Sequence, residues 1–243
     1  MTYAVEKTGL DVPRDWVIAA TVSAARAAFS GLQALSDVEI AQGARFLRSE
    51  DGERYRAAHL LKRHLLGATT GERPQELQFD REVNGKPVLR GITPLDFNLS
   101  HSDDWVIAGV SLTGRIGVDV EAERPEPFWR EIAGSFLTPA ELVAARDSDF
   151  LKFWTAKEAG LKAHGAGFAI MPNGVTVAED GDGFAMQVES MVLRCSWQGL
   201  DETHMLAVAT TGDMPEIAIC RNAAELTAAL ERISVPVSAA ASG

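Results

Sequence analysis

The sequence is poor in cysteine and contains no long hydrophobic run. Its 243 residues include two cysteines, Cys195 and Cys220, which have no second thiol or histidine at metal-ligand spacing. This excludes a disulfide scaffold, a zinc site and a redox pair, and it fits a reducing compartment. No apolar stretch approaches the roughly 18 residues of a membrane span, and the first residues are too acidic for a signal peptide. We therefore expect a cytoplasmic protein with no membrane partner.

Positive charge is also scarce, since 23 lysines and arginines stand against 34 aspartates and glutamates, for a formal net charge of −11. A chain of this charge repels nucleic acid, so we expect no nucleic-acid partner. The exception is the segment 45–90, where ten basic residues outnumber seven acidic ones. This segment is a candidate anion-binding or docking surface, and the alternative is an ordinary solvated helix face.

What the sequence does contain is the composition of a folded domain, with 46% hydrophobic and 23% charged residues. Apolar spacing and turn residues predict alternating blocks of helices and strands. The predicted helices are 36–46, 54–66, one from about 139, and 150–164. The predicted strands are 16–22, 97–100, 106–112, 116–121, 174–177, 184–188 and 205–209. Because three of these strands follow one another between 97 and 121, we expect them to form one antiparallel sheet.

A short repeat hints at an internal duplication. The pentapeptide DWVIA occupies residues 15–19 and returns at 104–108. Repeats of this kind can mark a duplicated unit. The alternative is coincidence, because apolar strands draw on few residue types.

Three acidic residues form the first candidate site. Asp119 and Glu121 are two residues apart on a predicted strand, so both side chains project from one face. Adjacent carboxylates repel each other, and a bound magnesium or calcium ion would relieve the repulsion. The alternative is a solvent-facing acidic edge. Glu158 shares a helix face with Lys162, which fits an ion pair, a capping box with Thr155, or a third metal ligand beside a phosphate contact.

Other polar motifs have simpler interpretations. Thr138-Pro-Ala-Glu141 is a helix start in which Glu141 completes a capping box. Ser100, His101 and Asp103 invite comparison with a hydrolase triad, but neighbouring side chains on a strand point to opposite faces. The G-x-S-x-G, P-loop and G-x-G-x-x-G motifs are missing from the sequence. Hydrolases and the standard nucleotide-binding folds therefore lose support.

Four motifs, taken together and in order, resemble the 4'-phosphopantetheinyl transferases of the Sfp type. They are GKPVL at 85–89, FNLSHS at 97–102, GVDVE at 117–121 and FWTAKEAGLKAHGAG at 153–167. The resemblance implies an α+β fold of two similar, pseudo-duplicated halves with the active site in the cleft between them. It places the halves at 1–113 and 114–236, the second carrying the metal site, and we expect a disordered tail at 237–243.

The resemblance also implies an activity. Such a protein transfers the 4'-phosphopantetheine group of coenzyme A to a serine of an apo acyl or peptidyl carrier protein, with magnesium, and releases adenosine 3',5'-bisphosphate. The alternative is a coenzyme A or nucleotide-binding module without catalysis. The sequence does not distinguish carriers of fatty acid, polyketide or peptide assembly. Because both halves come from one chain, we expect a monomer.

The same resemblance assigns roles to particular residues. Asp119, Glu121 and Glu158 would coordinate magnesium, Lys162 would contact the pyrophosphate as a catalytic residue, and Glu141 falls where the family places a proposed general base. Helix capping by Glu141 stays open as the alternative. Arg56 and Arg63 are alternatives to Arg54 as a phosphate ligand. The residues implied to contact coenzyme A are Arg54, Lys86, Ser100, His101, Asp119, Glu158 and Lys162.

Overall fold

The computed structural model describes residues 15–92, 94–146, 149–180 and 183–234. Its helices are α1 (Val22–Ala28), α2 (Asp37–Gly43), α3 (Ser49–Thr70), α4 (Glu126–Phe136), α5 (Pro139–Ala144), α6 (Phe150–His164) and α7 (Ala223–Ile233). Its strands are β1 (Trp16–Thr21), β2 (Phe79–Arg81), β3 (Pro87–Leu89), β4 (Asp96–Ser102), β5 (Trp105–Ser111), β6 (Ile116–Ala122), β7 (Thr176–Asp180), β8 (Gly183–Val188), β9 (Met191–Gly199), β10 (His204–Thr210) and β11 (Glu216–Cys220). The predicted α+β class is confirmed. The predicted tail at 237–243 lies outside the described residues.

Two mixed layers of sheet and helix make up the fold. The first sheet has the strand order β11-β1-β5-β4, and the second has the order β6-β10-β9-β8-β7. Strands β2 and β3 form a separate antiparallel pair. Helix α3 packs on the first sheet through buried leucines, whereas α6 packs on the second sheet through buried alanines.

The prediction that the three strands between 97 and 121 share one sheet is wrong. β4 and β5 pair as antiparallel neighbours, but β6 joins the second sheet by pairing with β10. Alternate side chains of β4 replace the missing backbone pairing. Asp96, Asn98 and Ser100 accept hydrogen bonds from the backbone N–H groups of Ile116, Val118 and Val120, respectively. Polar residues at every second position of β4 therefore join the two sheets side by side.

The DWVIA repeat does not relate two halves of the chain. Its two copies form neighbouring antiparallel strands of the first sheet, with Trp16 opposite Val110 and Thr21 opposite Trp105. The likeness reflects two central strands that need the same buried apolar residues. The last strand, β11, runs parallel to β1, and α7 packs against α1 and α3. The segment after residue 215 thus returns to the first sheet, and the division at residue 113 stays a prediction.

Close packing sets the position of α6 on β6. A Cβ atom at Gly117 would collide with the backbone carbonyl of Ala159, so only glycine allows this approach. Ala156, Ala159 and Ala163 are fully buried at the same contact. Small residues on both sides therefore bring the polar face of α6 beside β6. None of the helices in the described ranges has the length and apolar character needed to cross a bilayer.

Candidate functional site

A cavity of about 340 Å³ opens where α3, β4, β6 and α6 meet. It contains most of the polar residues that the motifs single out, together with an aromatic wall. Its lining residues are Tyr55, Ala58, His59, Leu99, Ser100, His101, Asp119, Glu121, Trp154, Glu158 and Lys162. Asp119 and Glu121 both reach it, whereas Val118 and Val120 are buried in the core, which confirms the predicted alternation along β6.

Asp119, Lys162 and Ser100 form the polar centre of the cavity. The Nζ atom of Lys162 lies 2.6 Å from Oδ1 of Asp119 and donates to Oγ of Ser100 at 3.1 Å. Ser100 in turn donates to the same oxygen of Asp119 at 3.0 Å. Asp119 is buried, while the side chain of Lys162 is 31% exposed. The lysine ammonium is thus held at the site and still accessible to an anion.

The carboxylates of the cavity repel one another. Burial raises the pKa of Glu158, and the charges of Asp119 and Glu121 raise it further. Burial and then Asp119 raise the pKa of Glu121, although Trp154 donates its indole N–H to Glu121 at 3.3 Å. The buried Oδ2 atom of Asp119 has no hydrogen-bond partner among the described residues. The described residues therefore leave part of the negative charge of these three carboxylates uncompensated.

These donors fit a hard divalent cation in their chemistry. Asp119, Glu121 and Glu158 offer only oxygen atoms, and the unpartnered oxygen of Asp119 is a buried acceptor that an ion would satisfy. However, no three aspartate, glutamate, histidine or cysteine side chains in the described ranges converge closely enough to enclose a metal ion. The residues are thus suited to an ion without forming a closed cage.

His101 lines the cavity, and Arg54 lies near His101 but lines a neighbouring pocket. Partial desolvation lowers the pKa of His101, and the positive charges of Arg54 and Lys162 lower it further. The Nε atom of Arg54 donates to the carbonyl of Asp103 in the turn between β4 and β5, at 2.6 Å. Of the three arginines considered for a phosphate contact, Arg54 is the one beside His101. Arg63 is buried against Glu39 and does not line the cavity.

Arg56 is also committed to a contact within the fold. Its guanidinium donates to the backbone carbonyl of Gly43, at the end of α2, at 3.2 Å. This bond ties α3 to α2. Arg56 does not line the cavity.

The resemblance implies that Lys86 contacts coenzyme A, whereas the structure places its side chain beneath the cavity. The side chain is buried, with Nζ bonded to Asp96 at 2.6 Å and to the carbonyls of Ile116 and Ala163 at 3.1 and 3.2 Å. These three acceptors satisfy all three protons of the ammonium group. Lys86 therefore links β4, β6 and α6 beneath the site, and it does not line the cavity.

Glu141 has a structural role in the fold, and its role as the general base stays a prediction. It closes the capping box of α5 with Thr138, and its carboxylate also binds the ammonium group of Lys157 and the backbone N–H of Val177. Both Glu141 and Lys157 are buried and outside the cavity. Capping, the alternative stated from the sequence, is the arrangement observed.

The basic segment 45–90 is largely neutralised within the fold. Six of its ten basic residues form ion pairs with acidic neighbours, which lowers the charge available to a partner. These pairs are Arg54–Asp51, Lys62–Glu39, Arg63–Glu39, Arg73–Glu76, Lys86–Asp96 and Arg90–Asp80.

Three aromatic residues of the cavity were not predicted as site residues. Tyr55 and His59 lie four residues apart on α3 with their rings 4.2 Å apart, and Trp154 comes from α6. The spacing of Tyr55, Ala58 and His59 places them on one helical face, but residues at that spacing normally belong to a core. Their position beside the cavity depends on where α3 packs, which the sequence pattern does not specify.

Comparison with known families agrees with this arrangement. Residues 115–211 match the family described as the 4'-phosphopantetheinyl transferase superfamily. Residues 22–112 match the family described as 4'-phosphopantetheinyl transferase, N-terminal. The two matched regions lie in tandem and meet between β5 and β6. The cavity draws its walls from both of them.

Curated relatives carry the same name. The 4'-phosphopantetheinyl transferase psf-1 of Bacillus pumilus is 30% identical over 187 residues, which cover 71% of this chain and 78% of that protein. HetI of Nostoc sp. is 37% identical over 145 residues, 56% of this chain and 61% of its own length. Sfp of Bacillus subtilis is 29% identical over 146 residues, 57% of this chain and 64% of its own length. With two family regions in tandem and a relative matched over more than three quarters of its length, this chain belongs to the 4'-phosphopantetheinyl transferase family.

Proposed function

We propose that this chain transfers the 4'-phosphopantetheine group of coenzyme A to a serine of an apo carrier protein. The serine oxygen attacks the β-phosphorus of coenzyme A and forms a phosphodiester. The bond between the β-phosphorus and the bridging oxygen of the diphosphate breaks, and adenosine 3',5'-bisphosphate leaves. The serine proton passes to a base, and no covalent enzyme intermediate is needed.

One observation carries this proposal. In a single cavity at the junction of the two family regions, an accessible lysine ammonium stands beside three carboxylates that repel one another. Diphosphate transfer requires positive charge to stabilise the leaving group and a carboxylate to accept a proton. The cavity contains both kinds of group. The ammonium is that of Lys162, and the carboxylates are those of Asp119, Glu121 and Glu158.

Magnesium is part of the proposal. Asp119, Glu121 and Glu158 would hold the ion, which when bound supplies Lewis-acid stabilisation of charge on the phosphate oxygens. Lys162 would bind a phosphate oxygen, and Ser100 holds Asp119 and Lys162 in place through its two hydrogen bonds. His101 and Arg54 would bind phosphate at the rim.

Glu158 is a second candidate for the base, beside Glu141. Its carboxylate lines the cavity, so it can reach a substrate bound there. Glu141, in contrast, already accepts hydrogen bonds from three donors away from the cavity. Glu158 would act from α6, one turn before Lys162.

The test is to incubate the protein with coenzyme A, magnesium and separate apo-carriers from fatty acid, polyketide and peptide assembly. Intact-mass measurement should show a phosphopantetheine added to at least one carrier, and chelation of magnesium should abolish the addition. Asp119→Asn should lose the activity. The matched control, Glu202→Gln, changes an exposed carboxylate outside the cavity and should keep it.

Other outcomes would reject the proposal in different ways. Binding of coenzyme A without transfer to any carrier would favour a binding module without catalysis. Absence of both binding and transfer would reject a coenzyme A site altogether.

We also propose that the protein acts as a monomer in the cytoplasm, with no nucleic-acid or membrane partner. All the elements that line the cavity, α3, β4, β6 and α6, come from one chain, so no second copy is needed to complete it. Light scattering after size exclusion, at the concentration used for the transfer assay, tests this. Activity that appears only in a dimer would contradict it.

A further inference from the structure

A cluster of buried charges lies directly behind one wall of the cavity. The carboxylate of Glu39 on α2 accepts hydrogen bonds from Lys62 and Arg63 on α3, each at 2.7 Å. It also closes the capping box of α2 with Ser36. Burial alone would raise the pKa of Glu39, but hydrogen bonds from His59 and Lys62 outweigh it and hold the pKa well below the usual range. Glu39 is therefore held as a carboxylate by the basic groups around it.

His59 is the member of this cluster that reaches the cavity. Its Nδ1 atom lies 3.0 Å from Oε1 of Glu39 and 3.0 Å from Nζ of Lys62. The opposite edge of the imidazole, which carries Nε2, is thereby directed to the cavity that His59 lines. The ring of Tyr55 packs on it with centroids 4.2 Å apart. The histidine ring is thus held on three sides, so a ligand contact would cost little side-chain entropy.

The neighbours of His59 allow a proton on Nε2. When Lys62 donates to Nδ1, the single proton of a neutral ring sits on Nε2. When the ring is doubly protonated, Nδ1–H donates to Glu39 and Nε2–H remains free for a ligand. Burial lowers the pKa of His59, the Glu39 hydrogen bond opposes this effect, and Lys62 lowers the pKa further.

The wall around His59 is mostly basic. Arg63 adds a positive charge behind the ring, and His101 of β4 lies close enough for the two imidazoles to interact electrostatically. Across the cavity stand the acidic residues of β6 and α6, with Lys162 among them. The titratable and charged groups that face His59 are Glu39, Tyr55, Lys62, Arg63, His101, Asp119, Glu121, Glu158 and Lys162.

We propose that His59 donates Nε2–H to a phosphate group of the bound cofactor, and that Glu39 positions the imidazole for this contact. The inference rests on the proposed function, because it takes coenzyme A as the ligand. A phosphate fits because the α3 and β4 wall offers directed N–H donors and positive charge. Coenzyme A offers two such groups, the diphosphate and the 3'-phosphate.

Calorimetric binding to the purified full-length protein with magnesium tests the contact. His59→Leu should weaken coenzyme A binding about 10-fold to 100-fold, as expected for loss of a hydrogen bond to a charged group. His64→Leu is the matched control, because His64 lies on the same helix but stacks on Phe29 outside the cavity. It should bind within about twofold of the wild type.

The choice of ligand identifies the phosphate. If dephospho-coenzyme A, which lacks the 3'-phosphate, is weakened as strongly as coenzyme A, His59 contacts the diphosphate. If only coenzyme A is weakened, the contact is to the 3'-phosphate. Equal weakening of pantetheine, which carries no phosphate, would overturn the proposal, as would a His59→Leu affinity within twofold of the wild type.

A double-mutant cycle tests the role of Glu39. Glu39→Gln should weaken coenzyme A binding, and combining it with His59→Leu should add no further loss, because Glu39 acts through the ring. Additive losses would overturn the positioning role. His59→Gln keeps an amide N–H near the position of Nε2 and should bind with intermediate affinity.

A measurement on the wild-type protein tests the contact without depending on whether the variants fold. The ring resonance of His59, assigned with His59→Gln, should shift when coenzyme A is added, and an unchanged resonance would overturn the contact. Failure of the proposed function is distinguishable from failure of this inference. A wild type that does not bind coenzyme A rejects both, whereas one that binds and transfers normally with His59→Leu unchanged rejects this inference alone.

Discussion

Replacing Glu141 with glutamine should destabilise the protein and leave the chemistry intact. The two carboxylate oxygens accept hydrogen bonds from Lys157, from the backbone N–H of Thr138 and from that of Val177. All of these groups are donors, so the amide nitrogen of glutamine would face a donor whichever way the side chain turned. The ammonium group of Lys157, which is completely buried, would lose its counterion and keep the carbonyl of Phe136.

The size of the effect follows from this geometry. Removing one partner of a buried ion pair costs about 3 to 5 kcal/mol, because the other charge is left uncompensated. Spread over a protein of this size, that loss lowers the melting temperature by about 6 to 20 °C. Urea unfolding of wild type and Glu141→Gln measures the free energy, and thermal unfolding measures the melting temperature.

Two further variants test whether the ion pair between Glu141 and Lys157 causes the loss of stability. Lys157→Met removes the ammonium and should also destabilise the protein, since it leaves the carboxylate of Glu141 buried without its cation. The double variant should be more stable than the sum of the two losses predicts, because neither charge is then left alone. Additive losses would argue against a direct interaction.

Activity decides between the structural and catalytic roles of Glu141. At a temperature where the variant is folded, Glu141→Gln should transfer phosphopantetheine at a kcat within about twofold of the wild type. Loss of a general base would instead lower kcat by about 100-fold to 10,000-fold. Wild-type stability combined with such a loss of kcat would refute the structural assignment.

Three further predictions concern the site and its support. Asp119→Asn should lower the raised pKa of Glu158 toward the ordinary value, because the charge of Asp119 is one of its causes; NMR titration of the Glu158 carboxyl measures this. Glu158→Gln should raise the melting temperature of the ligand-free protein at pH 7. The pKa of Glu158 is raised in the folded state, so this carboxyl stabilises the fold below its unfolded pKa. That contribution is lost as pH rises through the folded pKa. Lys86→Met should destabilise the fold by about 3 to 5 kcal/mol, because it leaves buried Asp96 without its cation, and coenzyme A affinity of the folded protein should be unchanged.

Each of these predictions has a contrary result. An unchanged Glu158 pKa in Asp119→Asn would show that the two carboxyls do not interact. Two results together would contradict the mutual repulsion of the carboxylates. Glu158→Gln would melt at a lower temperature than the wild type at pH 7, and its melting temperature relative to the wild type would not increase between pH 4 and pH 7. A loss of coenzyme A affinity in folded Lys86→Met with unchanged stability would return Lys86 to the pocket.

Much of the site was predictable because it depends on local geometry. The two-residue period of a strand places Asp119 and Glu121 on one face, and the structure confirms that both line the cavity. The helix predicted at 150–164 is observed with the same bounds, and Glu158 and Lys162 share its cavity-facing side. In each case, the direction of a side chain relative to its own backbone follows from residue spacing alone.

Helix ends were less predictable than helix centres. The apolar spacing predicts a helix at 54–66, whereas α3 extends from Ser49 to Thr70. Its first turn carries Glu50 and Asp51, which favour a helix N-terminus but add nothing to the apolar pattern. Strands β9 and β11 and helix α7 were not predicted. β9 pairs with its sequence neighbours β8 and β10, whereas β11 pairs with β1 from the other end of the chain.

By itself, the sequence determined the α+β class, the periodic elements and the directions in which Asp119, Glu121, Glu158 and Lys162 project. Only the tertiary structure decided which polar side chains line the cavity and which bind one another. Lys86 and Glu141 have the same chemical groups as the site residues, but Asp96 and Lys157 occupy those groups in the interior. A side chain's orientation is set by its neighbours along the chain, whereas its charge partner and its access to solvent depend on elements packed from distant parts of the sequence.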